Sequence, residues 1–136
     1  MRFLLDTNAC IRILNGTSPD VIRRLEGLEP ADIAMSAVVR AELVYGARKS
    51  ENVAANLRLV DAFFEPFVCL PFGDREADAY GSLRADLERG GRPIGPNDLL
   101  IAATALTHSL TLVTHNLSEF ARVPGLKVED WESTGD

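Results

Sequence analysis

Short runs of apolar residues alternate along the chain with longer stretches in which apolar residues recur every three or four positions. Runs of the first kind favour β-strands, and stretches of the second kind favour α-helices. The predicted strands are Phe3 to Leu5, Ile33 to Met35, Phe67 to Leu70, Leu110 to Val113 and Leu126 to Val128. The predicted helices contain Val21 to Leu25, Val38 to Ala47, Val53 to Phe64, Ala77 to Leu87 and Leu99 to Leu110. Strands that are mainly apolar, without polar alternation, and that are separated by helices predict an α/β fold, with helices on both faces of a parallel sheet.

The length of the chain, 136 residues of which 46% are hydrophobic, fits one compact domain with a substantial core. We therefore expect a single domain over residues 1–136. No apolar run reaches the ~20 residues of a membrane span, and Asp6 interrupts the N-terminus too early for a signal peptide. The protein is accordingly expected in the cytoplasm and away from membranes. Its two cysteines, Cys10 and Cys69, are expected to be reduced and buried.

The charge balance is acidic, with a net charge of -6 and an isoelectric point near 4.9. A domain that coats nucleic acid through charge alone is usually basic, so this balance argues against that class. Acidic residues gathered at one site could still serve a nucleic acid if bound cations reversed the local charge. A basic protein partner is the other natural consequence of an acidic surface.

Two carboxylates in the first half of the chain need an explanation beyond solvation. In an open parallel sheet, ligands bind at the carboxyl ends of the strands, and Asp6 directly follows the first predicted strand. A helix-capping turn would also account for Asp6. Glu42 is expected on or near the inward face of its helix, where an unpaired carboxylate is costly. An ion pair or a partly exposed helix edge would also account for Glu42.

Two further carboxylates stand near the end of the chain. Asp98 lies in the first turn of the last long helix, where it could simply interact with the helix dipole, yet it shares a face with small core residues. Three polar residues come shortly after the end of the fourth strand: Thr114, Asn116 and Glu119. Asn116 could instead cap a short helix, and Glu119 could face solvent. His115 is expected to point to solvent, and we assign it no catalytic role.

Together, the four acids predict a site for a divalent cation. Like charges gathered without a cation would repel one another and lose their hydration at a large cost. Hard oxygen ligands select Mg²⁺ or Mn²⁺, and the absence of cysteine and histidine ligand spacing argues against zinc.

Four segments of the chain resemble the VapC family, PIN-domain ribonucleases that are the toxins of bacterial toxin-antitoxin pairs. The segments are FLLDTNACI, SAVVRAELVYGARKS, RPIGPNDLLIAATAL and TLVTHNLSEFARVPGLKVEDW. The last segment and the GPND stretch are rather specific to this group of toxins within the PIN domains. The resemblance covers nearly the whole chain, and it implies a PIN-like three-layer fold with about five parallel strands between helices.

The resemblance also implies roles for particular residues. It makes Asp6, Glu42 and Asp98 the ligands of the metal ion, Mg²⁺ or Mn²⁺. The family's fourth acidic position often falls where this chain has Asn116, whose neutral amide is a poorer ligand. Glu119, one helical turn later, is the candidate replacement. The positions that match polar residues around the family's site are Thr7, Asn8, Ser36 and Thr114.

The reaction implied by the resemblance is hydrolysis of an RNA phosphodiester by metal-activated water, with 5′-phosphate and 3′-hydroxyl products. The implied substrate is a specific structured RNA, either a transfer RNA anticodon stem-loop, with initiator transfer RNA as one candidate, or a ribosomal RNA loop. Its cleavage would inhibit translation. Candidates for phosphate contact are Arg84, Arg89 and Arg92, although each could be a solvated surface residue. The implied protein partners are a cognate antitoxin of the VapB type and a second copy of the chain.

Three other interpretations remain open at this point. A PIN domain without catalytic power could act as a binding module, which Asn116 at the fourth acidic position allows. A phosphohydrolase of the haloacid-dehalogenase type would need a second aspartate where this chain has Asn8. It would also need a lysine at a strand end, where neither Lys49 nor Lys127 convincingly lies. A receiver-type signalling module would need paired acids after the first strand and a lysine after the last.

Overall fold

A five-stranded sheet forms the centre of the computed structural model, which describes residues 1–132. The strands are β1 (Phe3–Leu5), β2 (Ile33–Ser36), β3 (Val68–Leu70), β4 (Thr111–Val113) and β5 (Val128–Glu129). They lie in the order β3-β2-β1-β4-β5, and every neighbouring pair is parallel. The predicted parallel sheet is therefore confirmed, although its last strand begins only at Val128. The expected single domain over residues 1–136 includes residues 133–136, which lie outside the described residues.

Seven α-helices connect these strands within residues 1–132. They are α1 (Thr7–Asn15), α2 (Pro19–Glu26), α3 (Ala37–Arg48), α4 (Val53–Phe64), α5 (Asp74–Arg89), α6 (Pro96–Thr107) and α7 (Leu117–Phe120). Right-handed crossovers place α1 to α4, which lead from β1 to β3, on one face, and α5 to α7, which lead back across the sheet, on the other. The main helix pairs agree with this, since α3 packs on α4 and α5 packs on α6. Helices therefore cover both faces of the sheet, as the sequence predicted.

The core is centred on β1, which lies between β2 and β4. Leu4 and Leu5 have no exposed surface, and full burial of such a side chain contributes about 1.5–3 kcal/mol. Trp131 packs edge-on against Phe3, with ring centroids 5.3 Å apart, and so holds the end of the described chain to the first strand. The site at the end of β1 is thus built on a buried central strand.

A crevice is expected where the connections of two neighbouring strands leave in opposite directions. In this sheet those strands are β1 and β4, because β1 leads towards β2 whereas β4 leads towards β5. The backbone N–H of Asp6 donates to the carbonyl of Val113 at 3.1 Å, which ties the end of β1 to the end of β4. Residues that follow these two strands are therefore brought together.

The two cysteines lie in different environments. Cys10 is fully buried in α1, and burial raises the pKa of its thiol well above the usual value. The expected burial of Cys69 is wrong, because β3 is an edge strand and its residues Val68 and Cys69 are exposed. Both thiols are free.

The helices of residues 1–132 are short compared with a membrane span. The longest helix of residues 1–132, α5, has 16 residues, many of them charged. None of the helices in this part of the chain combines the length and the apolar character that crossing a bilayer requires.

Candidate metal-binding active site

Asp6 is the first residue after β1, and only 5% of its surface is exposed. Its Oδ1 accepts a hydrogen bond from the backbone N–H of Ala9 at 2.8 Å, so it is also the N-cap of α1. Burial raises the pKa of Asp6, hydrogen bonds from Ala9 and the Thr114 hydroxyl lower it, and the charges of Glu132 and Glu42 raise it again. The capping explanation for Asp6 is therefore confirmed, but capping alone does not explain why other carboxylates lie near it.

Glu42 lies half-buried on α3, and its Oε1 accepts a hydrogen bond from the Thr7 hydroxyl at 2.7 Å. This bond joins the first residue of α1 to the second turn of α3. Helix α3 starts where it does because the buried Ser36 caps it, with its Oγ accepting from the N–H of Val38 at 3.0 Å. No ion pair with Glu42 is found within residues 1–132. Of the two simpler explanations for Glu42, only the partly exposed helix edge remains.

Asp98 occupies the first turn of α6, half-buried, and its carboxyl group lies beside that of Glu119. Burial and the charge of Glu119 raise the pKa of Asp98 to about 6, and the charges of Asp6 and Glu42 raise it further in the same direction. The four acids thus form one electrostatic cluster. Two carboxylates this close repel each other when both are ionised, and a divalent cation would relieve that repulsion.

Glu119 is held in place by two donors. Its Oε1 accepts from the backbone N–H of Gly95 at 2.8 Å, and its Oε2 accepts from the side-chain amide of Asn116 at 2.7 Å. A Cβ at Gly95 would lie 3.7 Å from Glu119 Oε1 and 3.9 Å from Asp98 Oδ2, so the loop backbone passes close to both carboxylates. Asn116 is itself exposed and begins α7 without a capping bond from its side chain. It is therefore Glu119 that joins Asp98, while Asn116 orients Glu119.

Three of the four polar residues expected around the site contact it or the start of its helices. Thr7 donates to Glu42, and Ser36 caps α3. Thr114 is almost fully buried; its hydroxyl bonds to Asp6 and also accepts from the N–H of Asn116 at 3.0 Å. Asn8 differs, because it is exposed on α1 and has no side-chain hydrogen bond among the described residues.

The three arginines expected to contact phosphates all lie on the surface at the end of α5 and in the loop after it. The Nε of Arg84 lies 2.9 Å from Glu88 Oε2, and Arg89 pairs with Asp86. Arg92 is exposed in the loop. Phosphate contact by Arg84 or Arg89 would require an exchange of partner, and the RNA-binding role of all three stays a prediction.

Glu132 is the acidic neighbour that the sequence analysis did not single out. Its charge raises the pKa of Asp6 more than the charge of Glu42 does. Its Oε1 pairs with the Nε of Arg12 at 2.5 Å. The strand-end rule that identified Asp6 could have found it, because Asp130 and Glu132 follow the last strand in the same way.

The lysine that a haloacid-dehalogenase-type or receiver-type site needs is missing from this cluster within residues 1–132. Lys49 follows the end of α3 and lies over the ring of Tyr45, 5.0 Å from its centroid, and Lys127 precedes β5. Neither therefore follows a strand at its carboxyl end. Together with the exposed Asn8, this placement argues against both alternatives.

Comparisons with known proteins agree with this geometry. The model of the PIN domain matches residues 3–126, a range that contains all four acids of the cluster. The tRNA(fMet)-specific endonuclease VapC of Salmonella typhimurium is 39% identical over 131 residues, 96% of this chain and 98% of that protein. Ribonuclease VapC2 of Rickettsia felis is 40% identical over 133 residues, 97% and 99% of the two chains. A chain in the crystal structure of DNA-bound VapBC from Salmonella typhimurium matches with a TM-score of 0.91 at 38% identity, covering 96% of this chain and 98% of that one.

Proposed function

Since the chain belongs to the PIN-domain family, and within it to the VapC ribonucleases, we propose that it is the RNA-cleaving toxin of a toxin-antitoxin pair. The observation that carries the proposal is the cluster of Asp6, Glu42, Asp98 and Glu119 where β1 and β4 end. Its substrate is a structured RNA. The Salmonella relative is named as specific for tRNA(fMet), so initiator transfer RNA is the first substrate to test.

The donor set of the cluster fits Mg²⁺ or Mn²⁺. All four side chains offer carboxylate oxygens, which these hard cations prefer. The raised pKa of Asp98 fits as well, because a bound cation would relieve the repulsion by Glu119 that contributes to this shift. When bound, the ion would supply Lewis-acid activation of a water molecule and neutralise negative charge developing on the phosphodiester.

The protein's own part is to hold the acids in fixed positions. Asp6, Glu42 and Asp98 would bind the ion, with Glu119 beside Asp98. Each of Asp6, Glu42 and Glu119 accepts at least one hydrogen bond from a neighbouring group, respectively from Ala9, from Thr7 and from Gly95 and Asn116. Hydrogen bonds of this kind orient the carboxylates before the ion and the phosphate arrive, which favours the reaction.

The acidic net charge has consequences for both partners. RNA would approach the cluster only with its cation in place, assisted by the exposed arginines Arg84, Arg89 and Arg92. A cognate antitoxin of the VapB type, which the VapBC complexes among the similar structures suggest, would complement the acidic face with basic groups. A homodimer of the chain is the third part of the proposal.

Cleavage of RNA by the purified protein tests the proposal directly. Total bacterial RNA and initiator transfer RNA would be incubated with Mg²⁺, with Mn²⁺ and with EDTA, and the 5′ ends of the products would be mapped. We expect one discrete RNA to be cut, only with metal. Asp6→Asn should abolish cleavage, whereas Asp78→Asn, at an exposed position of α5, should not. Intact RNA under all conditions would favour a PIN domain that only binds its partner, whereas equal cleavage by Asp6→Asn would show that the acid cluster is not the site of cleavage.

A second pair of variants separates Glu119 from Asn116. Glu119→Gln removes a charge next to Asp98, whereas Asn116→Ala removes only the amide that orients Glu119. We expect Asn116→Ala to lower activity roughly tenfold, as is typical for groups that orient a ligand, and Glu119→Gln to lower it more. A larger loss in Asn116→Ala would show that Asn116 acts directly.

A further inference from the structure

Three metal-ligating side chains outside the acid cluster converge in the structure. One donor atom from each of His115, Asp130 and Glu132 lies within 4.8 Å of the others. His115 follows β4, while Asp130 and Glu132 follow β5, so the group forms at the carboxyl ends of two neighbouring parallel strands. We propose that these three residues bind a transition-metal ion such as Zn²⁺.

The chemistry of this group differs from that of the acid cluster. An imidazole nitrogen together with two carboxylates suits Zn²⁺ and similar ions, whereas Mg²⁺ prefers oxygen ligands alone. Three protein ligands with a water molecule in the fourth position form a common tetrahedral zinc site. The sequence argued against zinc because no ligand spacing was visible, but here the ligands come from two separate strand ends.

The distances suit a shared ion. The Nδ1 of His115 lies 2.9 Å from Asp130 Oδ2. Two ligands at ~2.1 Å from one ion are separated by roughly 3 to 3.5 Å, so a small opening of this pair would admit the ion in place of the hydrogen bond. The other oxygen of the Asp130 carboxylate is also hydrogen-bonded, because its Oδ1 accepts from the backbone N–H of Glu132 at 2.8 Å. This bond orients the carboxylate.

The third ligand is also held. Glu132 Oε1 pairs with the Nε of Arg12, which leaves the second carboxylate oxygen for the ion. Two carboxylates against one guanidinium leave a net negative charge, which favours a cation. The side chains of Asp130 and Glu132 are 20% and 15% exposed and that of His115 is 57% exposed, so the site is anchored in the protein and open to solvent.

The proposed site can be tested separately from the ribonuclease proposal, although Glu132 lies close enough to Asp6 for its charge to raise the pKa of Asp6. Asp130 and Glu132 lie beyond residues 3–126, the range that the PIN domain model matches. Its test can therefore use zinc binding alone, without RNA.

Nuclear magnetic resonance of the imidazole nitrogens gives a local measurement, because the chain has only two histidines. The full-length protein, labelled with ¹⁵N, would be titrated with ZnCl₂. We expect the signals of His115 to shift and saturate near one equivalent. Those of His108, whose Nε2 lies 2.6 Å from Glu76 Oε2, should stay in place as the internal reference.

Variants then distinguish the proposed site from the acid cluster. His115→Gln, at an exposed side chain, should fold normally and lower zinc affinity by tenfold or more in calorimetry. Asp98→Asn, which alters only the acid cluster, should retain the zinc-dependent shift of His115. The proposal is overturned if the His115 signals do not respond to equimolar ZnCl₂, or if their response disappears in Asp98→Asn.

Discussion

Replacing Asp98 by asparagine tests the electrostatic cluster without any RNA. Burial and the charge of Glu119 raise the pKa of Asp98 from 3.8 to about 6 in the folded protein. In the unfolded chain this group loses its proton near its usual pKa, so between these two values the unfolded state binds fewer protons than the folded state. The contribution of Asp98 to the free energy of unfolding is therefore fully present below about pH 4 and is lost as the pH rises through about 6.

The size of this effect follows from the shift in pKa. Roughly 2 units at 1.36 kcal/mol each give an upper limit of about 3 kcal/mol. Because the side chain is only half-buried, solvent screening reduces this to on the order of 1–2 kcal/mol. Asp98→Asn cannot ionise, so in EDTA it should be more stable than the wild type by that amount at about pH 7.5. The difference should vanish near pH 4.

This difference in the free energy of unfolding can be measured by urea unfolding, followed by the fluorescence of Trp131, the one tryptophan of the chain. Asp78→Asn, at an exposed position, should match the wild type at both pH values. Added Mg²⁺ should stabilise the wild type, through binding to the folded state alone, and Asp98→Asn much less. If Asp98→Asn were less stable than the wild type at about pH 7.5, or if its effect did not change with pH, repulsion within the cluster would be refuted.

Three smaller perturbations test hydrogen bonds and burial around the site. Thr7→Val removes the donor to Glu42 and should weaken Mg²⁺ binding about tenfold in calorimetry, so unchanged affinity would contradict an orienting role. Ser36→Ala removes the cap of α3 and should lower the free energy of unfolding in urea by about 1 kcal/mol, whereas no loss would mean that the cap is dispensable. A thiol reagent should modify Cys69 but not Cys10 in the native protein, and it should modify both cysteines in urea. Rapid modification of both thiols without urea would show that α1 opens.

The parallel sheet could be predicted because β1 is apolar at every position, and β2 and β4 are apolar at all positions but one. β1 and β4 are covered on both faces, and this is the pattern that such burial produces. The environment of Cys69 could not be predicted in the same way. Strand order depends on contacts between distant segments, and the composition of β3 does not show that it is an edge strand.

Helix α1 is missing from the predicted helices although its apolar residues have helical spacing. The segment from Asp6 to Asn8 has the composition of a turn. The sequence therefore indicated a cap at Asp6 but not the bounds of the helix that follows. In the structure Asp6 is the N-cap and Thr7 is already the first helical residue, so the polar segment is part of the helix start.

The acids of the site were predictable one by one, but their pairing was not. Asp6 and Asp98 stand out because they follow a strand and begin a helix. The bond from Thr7 to Glu42 joins residues 35 positions apart, and the contact of Asp98 with Glu119 depends on where the Gly95 loop passes. The sequence therefore does not determine whether Asn116 or Glu119 is the partner of Asp98.

The double role of Asp6 affects how inactive forms of this protein can arise or be made. One carboxylate oxygen starts a helix that carries the fully buried Cys10, while the charge of the same group belongs to the acid cluster. Truncation to alanine would remove the cap and the charge together, so loss of activity could not be separated from loss of folded protein. Asparagine keeps an oxygen for the N–H of Ala9 and removes only the charge. On the proposed mechanism, a cell that expresses this variant would carry an inactive protein with an intact surface, suited to capturing the antitoxin or an uncut RNA.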